Sequence, residues 1–438
     1  MTAASLRKGW CPGARRPMLT GDGLLVRLRL TGGVVPAPLA RAVADCARRF
    51  GNGALDLSAR ANLQLRGVSD ARFGPLTERL EALSVLDQDM DGEAVRNVVS
   101  SPLAGLDPSA LVDVRPVVEA LERHLAGDAA LHALPAKFGF LVDDGGRFGP
   151  SDVAADVRFE ARPGPNGPVF AVGLGGDRRG AVMLGACAPG AAPDVAAALA
   201  RTFIALRRTG TDLPRRMAAM LAVTGAEPFR AAAEVSETPD APVPERRPAQ
   251  PLGYADLGGG MGAIGFGAPF GRWAADDLDR LAGMAERYGP GELRLTPWRA
   301  IMVPVRHERL EAEPGGAQPA VARLLRSSGF IVDPSDPRLA AAACPGAPDC
   351  ASATTATRRD AALLAQAARG LAPSGVTLHV SGCPKGCARP DATNVALVGR
   401  NGLYDLIRHG RADGDPVRRG LTASEARDLI EQMGHSVE

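Results

Sequence analysis

The sequence predicts an α+β protein made of two copies of a small module, each followed by a larger α/β unit. Three observations lead to this prediction: an internal repeat at constant spacing, a proline-rich connector between the copies, and four cysteines confined to the last hundred residues. At 438 residues the chain is long enough for several domains with ample core. Its 52 glycines and 36 prolines predict many turns.

The repeat has a constant offset, which carries Gly51 onto Gly289. Residues 51–58, GNGALDLS, match residues 289–296, GPGELRLT. The same offset aligns the preceding stretches, residues 42–50 and 280–288, in both of which apolar residues recur at helical spacing. Each copy therefore indicates a helix, a glycine turn and two short strands.

The repeat and the connector divide the chain into domains. Residues 236–253, SETPDAPVPERRPAQPLG, combine many prolines with no apolar periodicity and indicate a linker. We expect an N-terminal arm and first small unit over residues 1–72, a first α/β domain over 73–235, a second small unit over 254–310 and a second α/β domain over 311–438.

Charge and hydropathy exclude two classes of function. With 51 Lys and Arg against 49 Asp and Glu, the net charge of +2 argues against a nucleic-acid-binding protein with a strong basic field. No stretch of about 18 uncharged apolar residues occurs, and the first residues lack the apolar segment of a secretory signal. Seven cysteines are few and odd in number, which indicates a reducing compartment. We therefore expect a cytoplasmic protein with neither a nucleic-acid nor a membrane partner.

Four cysteines form two pairs near the C-terminus. Cys344 and Cys350 lie in ACPGAPDC, and Cys383 and Cys387 lie in SGCPKGC, so positions 351–382 separate the two pairs. Four thiolates on such Pro/Gly-rich loops suit a cubane iron–sulfur cluster. Zinc is an alternative, although structural zinc usually takes ligand pairs about two to four residues apart. Disulfides are a second alternative, which fits a reducing compartment poorly.

Alternating polar residues follow the first glycine turn. In a strand, alternate side chains share one face, so this spacing would project the polar groups together while the leucines between them face the core. Guanidinium groups bind carboxylates in two-point, charge-assisted contacts, and amides add oriented donors. The alternative is the solvated face of a half-buried strand. The predicted carboxylate-binding comb consists of Arg60, Asn62, Gln64 and Arg66.

Together these features resemble the nitrite/sulfite reductase family over nearly the whole chain. The cysteine pairs match those that hold a 4Fe-4S cluster in that family, and three segments resemble its motifs for gripping the carboxylates of the iron tetrapyrrole sirohaem: residues 57–67, 96–102 (RNVVSSP) and 134–138 (LPAKF). The resemblance implies a duplicated architecture of two ferredoxin-like half-domains plus two larger α/β domains. It adds Arg96, Asn97 and Lys137 to the substrate-binding residues, with Lys137 and Arg96 as the catalytic pair.

Two departures from the reductases favour a different chemistry. The reductases carry a second lysine two residues after the one that matches Lys137, and both bind the small anion being reduced, whereas this chain has Gly139. The N-terminal sequence KGWCPGARRPM, followed by GDGLL, resembles instead the precorrin-3B synthases, a branch of the same superfamily. Sirohaem and precorrin-3A are both methylated, polycarboxylated tetrapyrroles, so the cofactor site of a reductase would become a substrate site.

This second resemblance implies an activity and its cofactors. The enzyme would use O2 to hydroxylate C20 of precorrin-3A and close a lactone from a ring A acetate. The cluster would supply electrons that a separate electron-transfer protein draws from NADH. The branch is also associated with a mononuclear non-haem iron, usually held by two histidines and a carboxylate, but the six histidines of the chain are scattered and give no such triad.

Two other functions remain as alternatives. One is a sirohaem-dependent sulfite or nitrite reductase, in which Cys387 would also bridge to the haem iron. The other is a non-catalytic iron–sulfur electron-transfer protein, which would have no need of a carboxylate-binding comb.

Three further features have competing interpretations. His379, on the predicted strand before the second cysteine pair, approaches the substrate if it points inward and fills the strand if it points outward. Cys11 in WCPG is either a ligand or a turn cysteine, whereas Cys46 and Cys187 lie in apolar, Ala-rich surroundings that indicate core positions. The GxGxxG match within residues 258–265 follows the linker rather than a strand, which argues against a dinucleotide site.

Overall fold

The computed structural model describes residues 10–208, 214–236, 249–371 and 375–435. Lys8 and Gly9 of the N-terminal motif, and most of the predicted linker, lie outside these ranges. In the part that is described, the chain forms four five-stranded sheets. No helix in that part is long and apolar enough to cross a membrane.

The first half of the chain forms a half-domain followed by an α/β domain. The half-domain contains β1 (Met18–Thr20), β2 (Gly23–Leu28), β3 (Val34–Pro36), α1 (Ala37–Phe50), β4 (Ala54–Leu57), β5 (Leu63–Val68) and α2 (Asp70–Ala82). The α/β domain contains α3 (Met90–Val95), β6 (Val98–Ser100), α4 (Arg115–Gly127), β7 (Phe140–Asp143), β8 (Ala155–Gly164), β9 (Gly167–Gly176), β10 (Val182–Cys187), α5 (Ala192–Arg208), α6 (Met217–Thr224) and α7 (Glu227–Ala232).

The second half repeats this order. Its half-domain contains β11 (Gly253–Gly258), β12 (Met261–Gly267), β13 (Arg272–Ala274), α8 (Ala275–Tyr288), β14 (Glu292–Leu295), β15 (Ala300–Arg306), α9 (His307–Glu311) and α10 (Ala317–Ser327). Its α/β domain contains β16 (Ala341–Ala343), α11 (Thr357–Arg369), β17 (Leu378–Ser381), β18 (Thr393–Arg400), β19 (Leu403–Gly410), β20 (Arg418–Leu421) and α12 (Ala423–His435). The repeat offset carries the first residues of β3, α1 and β4 onto those of β13, α8 and β14, so the predicted duplication is confirmed.

The two half-domains exchange their edge strands. The first sheet has the order β1-β2-β5-β4-β13, so its last strand comes from the second half of the chain. The second sheet has the order β11-β12-β15-β14-β3, with its last strand from the first half. Helices α1 and α8 pack against each other, and the buried residues of both half-domains form one shared hydrophobic core. The two half-domains therefore form one structural unit.

Each half-domain extends beyond its predicted end. Leu76 and Leu80 of α2 belong to the shared core, so the first half-domain continues past residue 72. Ala320 and Val321 of α10 also belong to it, so the second continues past residue 310. Both helices bury apolar residues in the shared core. This packing, and not the length of the repeat, determines where each half-domain ends.

The two α/β domains have the same sheet topology. In the first, β6, β7 and β8 are parallel and are followed by antiparallel β9 and β10. In the second, β16, β17 and β18 are parallel and are followed by antiparallel β19 and β20. The cysteine pairs lie on the loops after β16 and β17. The carboxyl ends of parallel strands meet at one edge of a sheet, so these two loops lie side by side.

Candidate functional site

The four paired cysteines lie on loops at one edge of the last sheet. Cys344 follows β16 and Cys383 follows β17, which pair in parallel. Desolvation raises the pKa of the Cys387 thiol to about 11, Lys385 opposes this rise, and the other three paired cysteines add to it through their charges. The loops that carry the two pairs therefore lie side by side. All seven cysteines are free, so no disulfide competes for them.

Hydrogen bonds hold the cysteine loops in place. The amide of Gly382 donates to Cys344 Sγ at 3.2 Å, and Thr357 Oγ1 donates to the Cys344 carbonyl at 2.6 Å. Gly346 has φ +72°, and a Cβ there would lie 2.4 Å from Thr357 Oγ1, so this turn requires glycine. The loops are thus folded tightly around the first pair.

The donor set fits a cluster better than a single ion. Among the described residues, no three His, Cys, Asp or Glu side chains are close enough to bind one metal ion. A structural zinc needs all its ligands around one ion, whereas a cubane cluster spreads four thiolates over four irons. Four thiols on two adjoining loops therefore suit the four-iron arrangement of a 4Fe-4S cluster. By the same observation, the described residues do not fit the mononuclear iron that the resemblance implies.

One row of side chains crosses the first sheet as far as the first cysteine loop. Cα register pairs β2 with β5, β5 with β4 and β4 with β13, so the side chains at these pairs share one face. Adjacent strands lie about 4.8 Å apart, so four strands span roughly 14 Å. We name this set the polar row; it consists of Arg27, Gln64, Asp56 and Arg272.

The polar row is joined by hydrogen bonds. Arg27 Nη2 donates to Gln64 Oε1 at 3.0 Å. Arg272 donates to both carboxylate oxygens of Asp56, at 3.0 and 3.2 Å, and its Nη1 donates to Asp349. Asp349 lies between the cysteines of the first pair, so the row ends at the cluster loop.

The predicted comb is not one continuous strand. β5 begins at Leu63, because Ala61 has a left-handed backbone (φ 55°) that ends the extended run. Asn62 is buried in the turn, where its backbone amide and carbonyl both bond to Ser58. Arg60 therefore extends from a turn and not from a strand, and we name the surface formed by Arg60 and the polar row the groove. This corrects the prediction that Arg60 and Asn62 share a strand face with the residues that follow.

Arg66 is committed to protein partners. Its side chain is buried and donates two hydrogen bonds to Asp22 and one, at 2.9 Å, to the Asp349 carbonyl. These bonds fasten the first sheet to the cluster loop and leave the guanidinium no free face. Of the four predicted comb residues, Gln64 alone belongs to the polar row.

Positive charge gathers at the end of the polar row away from the cluster loop. Burial together with the charges of Arg29 and Arg60 lowers the pKa of Arg27 to about 10, and the charge of Cys11 and a hydrogen bond to it oppose the fall. Burial and the charge of Arg216 lower the pKa of Arg60 as well. In the described part of the chain neither Arg27 nor Arg60 has a carboxylate partner. Both guanidinium groups are therefore available to bind an anion at this end of the polar row.

Three predicted residues meet at this cationic end. Arg60 Nη2 donates to the Lys137 carbonyl at 2.6 Å. Asn97 is buried and donates to the carbonyls of Ala136 and Phe138, at 3.4 and 3.3 Å, which fixes the loop on either side of Lys137. The Lys137 side chain itself is exposed. The structure thus brings Arg60, Asn97 and Lys137 together.

Arg96 lies elsewhere, in a buried ion-pair network. Its guanidinium bonds Glu122 at 2.6 Å and Asp87 at 2.8 Å, and also the Arg29 carbonyl. Burial alone would lower the pKa of Arg96, but the two carboxylates outweigh burial and raise it. Because these partners occupy the side chain, Arg96 does not present a free guanidinium to a substrate, contrary to the sequence-based expectation.

Sequence reasoning missed Arg27 and Arg216. Arg27 and Arg29 alternate with Val26 and Leu28, so the alternation rule applied to residues 60–66 could have found Arg27. Arg216 bonds the buried Asp156 at 3.0 Å through Nε, and no spacing in its surrounding sequence signals this contact.

Comparison with known protein families agrees with this architecture. The Nitrite/Sulfite reductase ferredoxin-like half domain matches residues 16–83 and 257–312, which are the two half-domains. The Nitrite and sulphite reductase 4Fe-4S domain matches residues 91–239, the first α/β domain. The cysteine pairs lie outside both matches, in the second α/β domain with its identical strand order.

Individual relatives cover most of the chain. A precorrin-3B synthase of Sinorhizobium sp is 35% identical over 95% of this chain and 86% of its own length. A ferredoxin–nitrite reductase of Synechococcus elongatus is 28% identical over 95% of this chain and 86% of its own length. The solved structure of the NirA protein of Mycobacterium tuberculosis has a TM-score of 0.74 at 23% identity, with 93% of this chain and 79% of that chain covered, so the fold is shared. The chain therefore belongs to the nitrite/sulfite reductase family, in its precorrin-3B synthase branch.

Proposed function

We propose that the protein is a precorrin-3B synthase of aerobic cobalamin (vitamin B12) biosynthesis. It hydroxylates C20 of precorrin-3A and closes a lactone from a ring A acetate. One atom of O2 enters the product and the other leaves as water, while two electrons and two protons come from a separate donor protein that draws on NADH. The similarity to a precorrin-3B synthase over 95% of the chain supports this proposal.

The observation that carries the proposal is the polar row with its unpaired cations at one end and the cluster loop at the other. A polycarboxylated tetrapyrrole is a broad, flat molecule with acids around its rim. A row of roughly 14 Å offers it a matching width. Arg27 and Arg60 offer charge-assisted partners for the acids at one end, and the cluster loop adjoins the other end.

Each residue of the groove has a distinct task. Arg27, Arg60 and Lys137 bind substrate carboxylates, and the Gln64 amide adds an oriented donor. A pKa of about 10 keeps Arg27 charged at neutral pH. Lys137, exposed beside Arg60, can also move a proton, whereas Arg96 stabilises the fold through its buried ion pairs.

We also propose that the four paired cysteines ligate one 4Fe-4S cluster, which supplies electrons singly when it is bound. Arg66, Arg272 and Asp56 then hold the first cysteine loop against the sheet, through Asp349. This network keeps the cluster and the substrate groove in a fixed relation.

Gly139 favours the synthase over a reductase. A reductase must stabilise charge on the oxygens of sulfite or nitrite, which closely placed lysines do. A Cβ at Gly139 would meet no atom nearer than the Asn97 carbonyl oxygen, 3.5 Å away, so packing does not demand glycine here. We attribute the missing lysine to the chemistry proposed for the site, in which it would leave room for the rim of the substrate.

The second candidate is a sirohaem-dependent nitrite or sulfite reductase. The similarity to a ferredoxin–nitrite reductase over 95% of the chain favours it, and the polar row would suit the acids of sirohaem equally well. An absorption spectrum separates the two candidates. A broad thiolate-to-iron shoulder without a Soret band fits the synthase, and an intense sirohaem band fits the reductase.

The proposal is tested by turnover of purified protein with precorrin-3A, a reductant and 18O2. We expect a product heavier by one oxygen that carries the label, and negligible reduction of sulfite or nitrite even when sirohaem is offered. Sulfite turnover of about 1 per second or faster, or product formation under strict anaerobiosis, would refute it.

A further inference from the structure

A histidine without a partner lies beneath the second cysteine loop. His379 on β17 is fully buried, and neither ring nitrogen has a hydrogen-bond partner among the described residues. Its neighbours in the sheet register are Ala342 and Ala396, which offer no polar side chain. Desolvation, and then the charge of Arg389, lower its pKa to about 4, so the ring is neutral near pH 7. A neutral ring has one N–H donor to satisfy.

The ring lies directly against the segment that joins Cys383 to Cys387. His379 Cε1 is 3.7 Å from the position that a Cβ would take on Gly386, which is a buried glycine with φ +65°. No side chain of that glycine separates the ring from the loop. The loop between two proposed cluster ligands is thus the surface that the imidazole faces.

The nearby protein groups do not supply an acceptor for the ring. Ser381 lies on the same face of β17, where its hydroxyl donates to the Cys383 carbonyl, and its oxygen forms no hydrogen bond with either ring nitrogen. The Arg389 side chain carries only donors, and its backbone carbonyl forms no hydrogen bond with either ring nitrogen. Buried N–H groups are almost always paired in proteins, so the ring needs an acceptor other than the protein groups of the described residues.

We propose that His379 donates a hydrogen bond to a sulfur of the cluster held by the second cysteine loop and thereby raises its reduction potential. Hydrogen bonds to cluster sulfurs favour the more negative, reduced state and are one of the determinants of potential. The inference rests on the cluster proposed above. It assigns to His379 a direct contact with the cofactor, in place of either sequence-based interpretation.

The test compares three variants by EPR-monitored redox titration of the loaded protein. His379→Leu keeps the ring's bulk but removes the donor, and His379→Gln keeps a donor. Val398→Ala is the control, because it loosens the same buried layer without touching a polar group. We expect His379→Leu to disfavour reduction about tenfold, which is 59 mV for one electron. His379→Gln should recover at least half of that shift, and Val398→Ala should leave the potential unchanged.

A spectroscopic readout covers the case in which a variant loses its cluster. In wild-type protein with 15N-labelled histidine, pulsed EPR of the reduced cluster should detect a weakly coupled nitrogen. An intact cluster without that coupling, or a His379→Leu potential equal to that of wild type, would overturn the inference and point to an internal water as the partner. Wild-type protein that never assembles a cluster would instead refute the underlying cluster proposal.

Discussion

The two half-domains share one backbone plan but present opposite chemistry on equivalent faces. On the first sheet, the polar row carries two arginines, an amide and a carboxylate. The repeat offset identifies the equivalent row on the second sheet, where the strand register is the same. That row is mostly apolar and consists of Gly265, Met302, Arg294 and Val34.

The second row is closed by packing. Met302 is buried and shares a small apolar cluster with Leu103 from the first α/β domain. Arg294 is 1% exposed and donates to two backbone carbonyls of the same loop, at 3.1 and 3.2 Å. A Cβ on Gly265 would lie 1.5 Å from the Pro251 carbonyl oxygen, so the chain before β11 also covers this face. No groove is left on the second sheet at this row.

The α/β domains differ in the same manner. The loops after β6 and β7 contain the buried acids Asp107 and Asp144, and β7 itself ends at the buried Asp143, whereas the equivalent loops after β16 and β17 contain the cysteines. The duplicated domains thus share one strand order and differ in the side chains that their loops carry. Function belongs to the site and not to the fold.

The largest effect should come from the cysteine loops. Serine at any one of the four positions should lower the iron content and remove or alter the EPR signal of the reduced protein, because a cubane needs four thiolates. The control is Cys187→Ala in the first α/β domain, which should keep its iron. Full iron occupancy and unchanged spectra in all four variants would show that the cluster is not bound there. The variants are Cys344→Ser, Cys350→Ser, Cys383→Ser and Cys387→Ser.

Arg96 and Arg60 should contribute very differently to the free energy of unfolding, because Arg96 is held in buried ion pairs and Arg60 is not. Arg96→Ala removes one member of a buried network and should lower the free energy of unfolding by about 3–5 kcal/mol, because Glu122 stays buried without its partner. Arg60→Ala removes no ion pair and should change it by only about 0.5 kcal/mol. Denaturant unfolding of the apoprotein measures both. Equal losses of unfolding free energy in the two variants would contradict this difference between Arg96 and Arg60.

The acidic loop of the first α/β domain should make stability depend on pH. Burial raises the pKa of Asp144 to about 6, against 3.8 for a free carboxyl, and Asp143 and Asp107 add to the rise. A raised carboxyl pKa favours the folded state below pH 3.8 and loses that contribution as pH rises through 6. Between pH 4 and pH 7 the free energy of unfolding of Asp144→Asn should therefore rise by about 2 kcal/mol relative to that of wild type. A constant difference across that range would contradict the shift.

The sequence predicted the duplication and the cysteine loops because both depend on local pattern. A constant offset is visible in one dimension, and the cysteines lie a few residues apart in loops rich in Pro and Gly. The strand exchange was not predictable in this way. β3 and β13 have three residues each, and their pairing with β14 and β4 depends on contacts between distant parts of the chain.

The groove was predicted in part for the same reason. Gln64 and Arg60 were among the residues predicted from the sequence, but the row to which Gln64 belongs runs across strands, so its other members depend on register. Arg66 and Arg96 have the right chemistry, yet their acidic partners lie 44 and 26 residues away and are not evident from spacing. A left-handed Ala61 is equally hard to foresee, because alanine rarely adopts that conformation.

The open cationic groove of the first half-domain is tested most directly by the binding of uroporphyrin, a stable octacarboxylate tetrapyrrole. Fluorescence titration should give affinities for wild type, Arg27→Ala, Arg60→Ala and the control Arg306→Ala. Arg306 is an exposed arginine at the end of β15, so its loss removes the same charge from the closed half-domain. We predict that Arg27→Ala and Arg60→Ala each weaken binding by about 1.5–3 kcal/mol, and more strongly at low salt, while Arg306→Ala binds as wild type does. Wild-type affinity in both groove variants, or an equal loss in Arg306→Ala, would contradict a substrate site on the first sheet.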